Sequence, residues 1–131
     1  MLTRNISVGY SAAGVSINAT FALEAGAEVT ISETIPASST NLALSSFALD
    51  VSQVKALVMV AAADMVVETN SGSSPVNVFT LTANVPFLWF TGQATLRDTA
   101  GTAVSTDITS LFVTSTAGGL LDIRALVDPT A

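Results

Sequence analysis

Two residue types are missing from this 131-residue sequence altogether: cysteine and histidine. Without cysteine there is no disulfide framework and no thiolate metal site. Without histidine the Ser-His-Asp and Cys-His arrangements, the Cys/His zinc sites and the usual neutral-pH proton shuttle all fall away. A carboxylate-only or lysine mechanism remains open, but no cofactor or metal is expected, and a non-enzymatic role is the expectation. Charge is scarce as well. Charged residues make up 11% of the chain, against about 25% in ordinary soluble domains.

The cations Arg4, Lys55, Arg97 and Arg124 are scattered along a chain of net charge −6. Phosphate contacts need clustered Lys and Arg, so nucleic acid is not an expected partner. An anionic membrane surface repels such a chain. Long hydrophobic runs are also lacking. The longest, Ala56 to Ala63 between Lys55 and Asp64, falls far short of the roughly 20 residues of a membrane helix. Met1-Leu2-Thr3-Arg4-Asn5 leads straight into alternating sequence with no apolar signal core. An unsecreted product made in the cytoplasm is therefore expected.

What is present is hydroxyl and alanine. Ser and Thr supply roughly a quarter of the residues. Such a surface costs little to desolvate, whereas long charged side chains resist ordering and burial. The composition suits a protein packed against neighbours. A stable monomer with a Thr-rich sheet face is the alternative, since Thr favours strands.

Period-two alternation dominates the chain. Val15, Ile17, Ala19, Phe21 and Leu23 share one parity, with Ser16, Asn18, Thr20 and Ala22 between them. One buried and one wet face are expected. Glu28 to Ile35 repeats the pattern, with Val29, Ile31 and Ile35 inward. Glu33 breaks the parity and is expected to meet solvent or a partner. Leu42 and Leu44 share one parity, Phe47 and Leu49 the other; a β-bulge at Ser45-Ser46 would keep all four on the core side. Ala56 to Val60 is apolar on both faces, as in a central strand covered on each side or by another subunit. Met65 to Asn70, Val76 to Ala83, Pro86 to Thr91 and Leu111 to Ser115 follow as strands. Leu121 to Val127 closes the chain, with Leu121, Ile123, Ala125 and Val127 inward.

Turn chemistry separates these segments at Gly9 to Gly14, Ala25-Gly26, Pro36 to Thr40, Ser71 to Pro75, Asn84 to Pro86 and Ala117 to Gly119. No sustained helical stripe occurs. About eight or nine short strands over residues 1–131 predict a single all-β domain, an antiparallel β-sandwich of jelly-roll-like type. Gly92 to Ser105 reads as a long exposed loop or hairpin. Asp50 to Val54 and Asp107 to Leu111 echo one another, each leading into a hairpin. Each Asp is suited to cap a single helical turn. A paired calcium site needs more clustered oxygens than either segment offers.

Candidate chemistry is sparse. Arg97-Asp98-Thr99-Ala100-Gly101 is similar to the aspartic-protease signature, but Ala100 stands where glycine should, and Arg97 where an apolar residue is usual. Two copies of Asp98 could share a proton across a homodimer; an ordinary turn is the simpler reading. Glu24, Glu28, Glu33 and Glu68 offer carboxylates for glycoside hydrolysis, yet nothing marks a pair. Asn5-Ile6-Ser7 and Asn18-Ala19-Thr20 match the glycosylation sequon, read as coincidence in an unsecreted chain. Phe87-Leu88-Trp89-Phe90 places four large apolar groups in one strand, where neighbours point to opposite faces. Two must cover a second surface: a subunit interface, a sugar platform or the inside of a loop. Phe87, Trp89 and Phe90 are the candidate assembly residues.

Taken together the segments resemble a group of small β-sandwich structural proteins of tailed bacteriophages. The resemblance rests on the Ile6-Ser7-Val8 to Ile17 hairpin, the Asp50 corner and the run Glu68-Thr69-Asn70-Ser71-Gly72-Ser73-Ser74-Pro75. It continues through Leu81-Thr82-Ala83-Asn84-Val85-Pro86 with Trp89, then Asp107-Ile108-Thr109. It is one of pattern and transfers no active residue. The resemblance implies a virion component, a head decoration (cement) protein that trimerises and sits on the major capsid protein. The alternative it implies is a tail or fibre-associated subunit, with tail proteins as partners and a receptor-binding role.

Overall fold

The computed structural model describes residues 2–44 and 47–129 of the chain. Among these residues ten strands run β1 (Leu2–Ala12), β2 (Val15–Ala25), β3 (Ala27–Ile35), β4 (Ser39–Ala43), β5 (Val54–Ala61), β6 (Met65–Thr69), β7 (Val78–Leu81), β8 (Phe87–Phe90), β9 (Leu111–Ser115) and β10 (Gly119–Val127). One short 3-10 turn, Val51–Gln53, precedes β5.

Eight strands form two four-stranded antiparallel sheets, in the orders β3-β10-β5-β8 and β4-β9-β6-β7. Consecutive strands cross from one sheet to the other at matching positions: β3 to β4, β5 to β6, β7 to β8 and β9 to β10. A long antiparallel ribbon rolled in this way is a jelly roll. The inward residues of both sheets share one core, in which Leu57, Val67, Phe79, Leu111, Val113, Leu121 and Ile123 are fully buried. Alternation produces this because one face of each strand meets the opposite sheet and the other does not.

The expected inward residues of β3 and β10 are where their parity puts them. Ile31, Ile35, Leu121, Ile123, Ala125 and Val127 are buried, and Val29 packs against them. Glu33 is half-buried at inward parity opposite Leu121. Leu42, Leu44, Phe47 and Leu49 all join the core, while the bulge expected at Ser45-Ser46 lies outside the described residues.

Three expectations need correction. First, β1 and β2 form a separate two-stranded hairpin rather than part of the sandwich. Its turn sits at Ala13-Gly14, with Gly14 at φ 77°, so Gly9 is in the strand rather than the turn. The Val15 parity of β2 is not a buried face throughout: Val15 and Ile17 are exposed, while Phe21 and Leu23 are half-buried. Second, of the loop and hairpin alternatives for the 92–105 segment the hairpin holds, closed by the Arg97–Ala103 bridge. The segment is not exposed throughout, however, because Leu96, Asp98 and Val104 are buried. Third, Asp107 caps no helical turn of its own.

The corners explain that third point. Asp50 accepts from the Ser52 amide at 3.0 Å and caps the 3-10 turn as its sequence suggests. Asp107 accepts instead from the Val51 amide at 3.0 Å, so it caps the other corner. Leu49 and Ile108 exchange backbone hydrogen bonds between the two segments. Asn70, at φ 67°, donates to the Asp107 carbonyl at 2.9 Å and accepts from the Thr109 amide at 2.8 Å. The two echoing stretches therefore meet in space and are tied together at one end of the sandwich.

Candidate assembly surface

Register fixes what the hairpin presents. Ile6 faces Phe21, Val8 faces Ala19, Tyr10 faces Ile17 and Ala12 faces Val15, and directly opposed residues in an antiparallel pair lie on the same side. One side of this arm is thus apolar from Ile6 and Phe21 to its tip, with Arg4, opposite Leu23, on the same side at its base. The other carries Ser7, Ser11, Ser16, Asn18 and Thr20, with the Ser7 and Thr20 hydroxyls 3.0 Å apart. Residues 5–22 contain no Asp, Glu, Lys or Arg.

The two halves of the apolar side have different surroundings. The base covers the outer face of the β3-β10-β5-β8 sheet, where Ala25, Ala56 and Leu126 are buried in a second small cluster flanked by Ile6, Leu23 and Phe90. The Phe21 and Phe90 ring centroids are 4.3 Å apart. Arg4 pins the edge of this contact through Glu28, with Nε to Oε2 at 2.9 Å, and Arg124 approaches the same carboxylate at 3.9 Å. A cleft of about 180 Å³ remains between arm and sheet, lined by Ile6, Ala56, Val58 and Leu126 with Arg4 and Glu28 at its rim. Beyond this base the distal half is bare. Val8 is 47% exposed, Tyr10 60%, Val15 57% and Ile17 64%.

The Phe87 to Phe90 strand divides as alternation requires. Phe87 and Trp89 point inward and pack on the main core, with Phe87 edge-on to Phe79 at 5.0 Å. Trp89 donates its indole N–H to the Ala94 carbonyl at 2.7 Å. Leu88 and Phe90 lie on the outer face, and Phe90 is the one that meets the arm. The second surface inferred from this run is thus occupied, at Phe90, by the chain's own hairpin.

Asp98 is built into the fold. Burial raises its carboxyl, but hydrogen bonds from the Asn77 side chain and the Thr102, Val78 and Ala100 amides outweigh that and hold it below the ordinary carboxylate value. These bonds run from 2.9 to 3.1 Å and use both oxygens. Beside it Thr99 accepts from the Thr80 amide and donates to the Val78 carbonyl. β7 is an edge strand, so Asp98 and Thr99 satisfy backbone groups that an edge would otherwise leave open to pairing. A carboxylate saturated by its own chain is poorly placed to share a proton with a second copy.

The remaining candidates are dispersed. Glu28 is engaged by arginine, Glu24 is exposed at the foot of β2, and Glu68 sits on β6 in the other sheet. A cleft of about 270 Å³ on the outside of that sheet is lined by Thr80, Thr82, Thr114 and Thr116 together with Asp64, Val66 and Ser115. Its one carboxylate, Asp64, accepts from the Ala83 amide. Among the described residues no three carboxylates gather closely enough to hold a metal ion. Sequence reasoning placed the hairpin but missed its uncovered end. The signal was available in the charge-free stretch from residue 5 to 22. Comparisons of the chain with protein-family models, curated proteins and solved structures return no match.

Proposed function

We propose that the chain is a non-enzymatic structural subunit of a bacteriophage particle, a head decoration protein that stabilises the shell by burying surface across neighbouring subunits. The observation that carries this reading is the arm: a rigidly based, uncharged hairpin whose apolar side is left half uncovered. Exposed apolar patches of this kind mark contact sites. Jelly rolls serve capsid proteins and lectins alike, so topology alone does not choose between them. The resemblance of the sequence pattern to small phage sandwich proteins supplies the virion context, with the major capsid protein as partner and a homotrimer as the assembly.

Quantitative mass spectrometry and microscopy of particles of the encoding virus test this reading. The chain is expected on the head, in a copy number set by icosahedral sites. Absence from particles overturns the reading, and a handful of copies confined to the tail replaces it with the tail-subunit alternative. A sugar-binding tail module would need a platform other than Trp89, which packs inward.

A further inference from the structure

We infer that the distal half of the hairpin docks on the outer sheet face of a second copy of this chain. The proposal deepens the assembly reading above by naming one partner, and rests on it only in taking the chain to act by burying surface.

The seat is already visible within one copy. The base of the arm packs its apolar side on Ala56, Leu126 and Phe90 of the outer face. Register places Val58, Val60 and Leu88 on that same face, one and two steps along from Ala56. These three are half-buried rather than covered, and Leu120 on the neighbouring strand is 46% exposed. The same face carries Arg124 and Asp122, the register partners of Val58 and Val60 and paired with each other at 3.4 Å. A second copy therefore offers the arm's tip an apolar strip along β5 and β8 bordered by one ion pair.

Two copies of net charge −6 repel at long range, so the contact has to be carried by buried apolar area, and the charge-free arm adds no further charge to it. Area favours this occupant. Val8, Tyr10, Val15 and Ile17, with Ala12 and Ala19, expose on the order of 400 Å². In a two-fold dimer with exchanged arms every copy gives one arm and one seat to the same partner, so each buries about 800 Å², the usual share of a specific interface. In a ring the same area is divided between two contacts of about 400 Å² per partner. Arm and seat are different patches, so the contact is heterologous, and only closure prevents an open filament. An isolated two-stranded ribbon is also marginal in water, and covering its apolar side stabilises it.

The test uses the full chain. Sedimentation should give a closed oligomer for the wild type, and a monomer with unchanged thermal unfolding of the sandwich for Val15→Ser with Ile17→Ser. Because the chain has no cysteine, chains carrying only Ile17→Cys can be mixed with chains carrying only Val60→Cys. Oxidation should then give a mixed disulfide dimer in excess of either self-linked species. A monomeric wild type, or an oligomer that survives the arm substitutions and forms no mixed disulfide, overturns the proposal. Particle binding is scored separately. A monomer still found on virus heads refutes arm docking between copies and leaves the structural role standing, whereas an arm-dependent oligomer absent from particles does the reverse.

Discussion

Phe21 on the arm and Phe90 on the edge strand of the sandwich stack with ring centroids 4.3 Å apart and planes inclined by 48°. This tilted pair joins two parts of the chain that share no sheet hydrogen bonding. It holds the hairpin against the outer face beside the Ala25, Ala56 and Leu126 cluster. Aromatic pairs of this geometry contribute about 0.5–1.5 kcal/mol beyond the area they bury.

Phe21→Ala should therefore free the arm while leaving the sandwich folded. Amide exchange in residues 5–22 is expected to accelerate at least about tenfold, the equivalent of roughly 1.4 kcal/mol. Exchange in β9 and β10 should not change. Phe90→Ala should act similarly, and the two substitutions together should cost less than their sum, since each removes the same contact. Equal acceleration across β10 would show instead that the arm is part of the sandwich's cooperative unit.

Trp89→Ala should lower stability by about 3 kcal/mol, because the indole packs on the main core and satisfies the Ala94 carbonyl. Trp89→Phe keeps most of the packing and loses the hydrogen bond, at a cost of about 1 kcal/mol. Urea unfolding curves of the two variants check the order. Were Trp89 a surface platform, both variants would match the wild type.

How far the sequence foretold these relationships depends on what alternation can encode. In β3 and β10 the apolar parity became the buried parity because the opposite sheet lies over it: Ile31, Ile123 and Ala125 are all inside. Val15 and Ile17 carry the same pattern and stand in solvent. An uncovered apolar face and one facing the chain's own core leave identical period-two records. Leu126 shows the converse. Its parity is outward, yet it is buried, because a hairpin more than 100 residues earlier folds over it. The 92–105 segment gave no period at all, since only Leu96 and Val104 reach the core and much of its order comes from side chains such as Asp98 and Thr99 bonding to backbone. Asp107 was legible as a capping residue but not as the cap of Val51, 56 positions away.

Gly118 should tolerate no side chain. It sits at φ 71°, and an added Cβ would lie 2.5 Å from the Ile35 carbonyl oxygen and 2.6 Å from the Ala37 nitrogen, both backbone atoms that cannot swing aside. Gly118→Ala is expected to cost more than about 3 kcal/mol, the upper range for the left-handed conformation alone. Gly14→Ala is the control. Its φ is 77° but nothing lies within 4 Å of its Cβ position, so it bears the conformational cost of about 1 kcal/mol without the clash. Similar unfolding midpoints for the two variants would rule out the close approach of the Gly118 turn to the β3–β4 connection.

Asp98→Asn separates the carboxylate's charge from its shape. The folded carboxyl titrates below its ordinary value, so ionised Asp98 favours the folded state. That contribution is present in full above the unfolded-state value of about 3.9 and is lost as pH falls through the lowered folded value. The substitution also turns an amide N–H₂ toward donors from Asn77 and Val78, at a cost of about 2 kcal/mol near neutral pH. The gap in unfolding free energy between wild type and variant should be widest above pH 5 and narrow steadily in more acidic solution. A gap independent of pH would mean that the Asn77, Val78, Ala100 and Thr102 donors do not depend on the charge they surround.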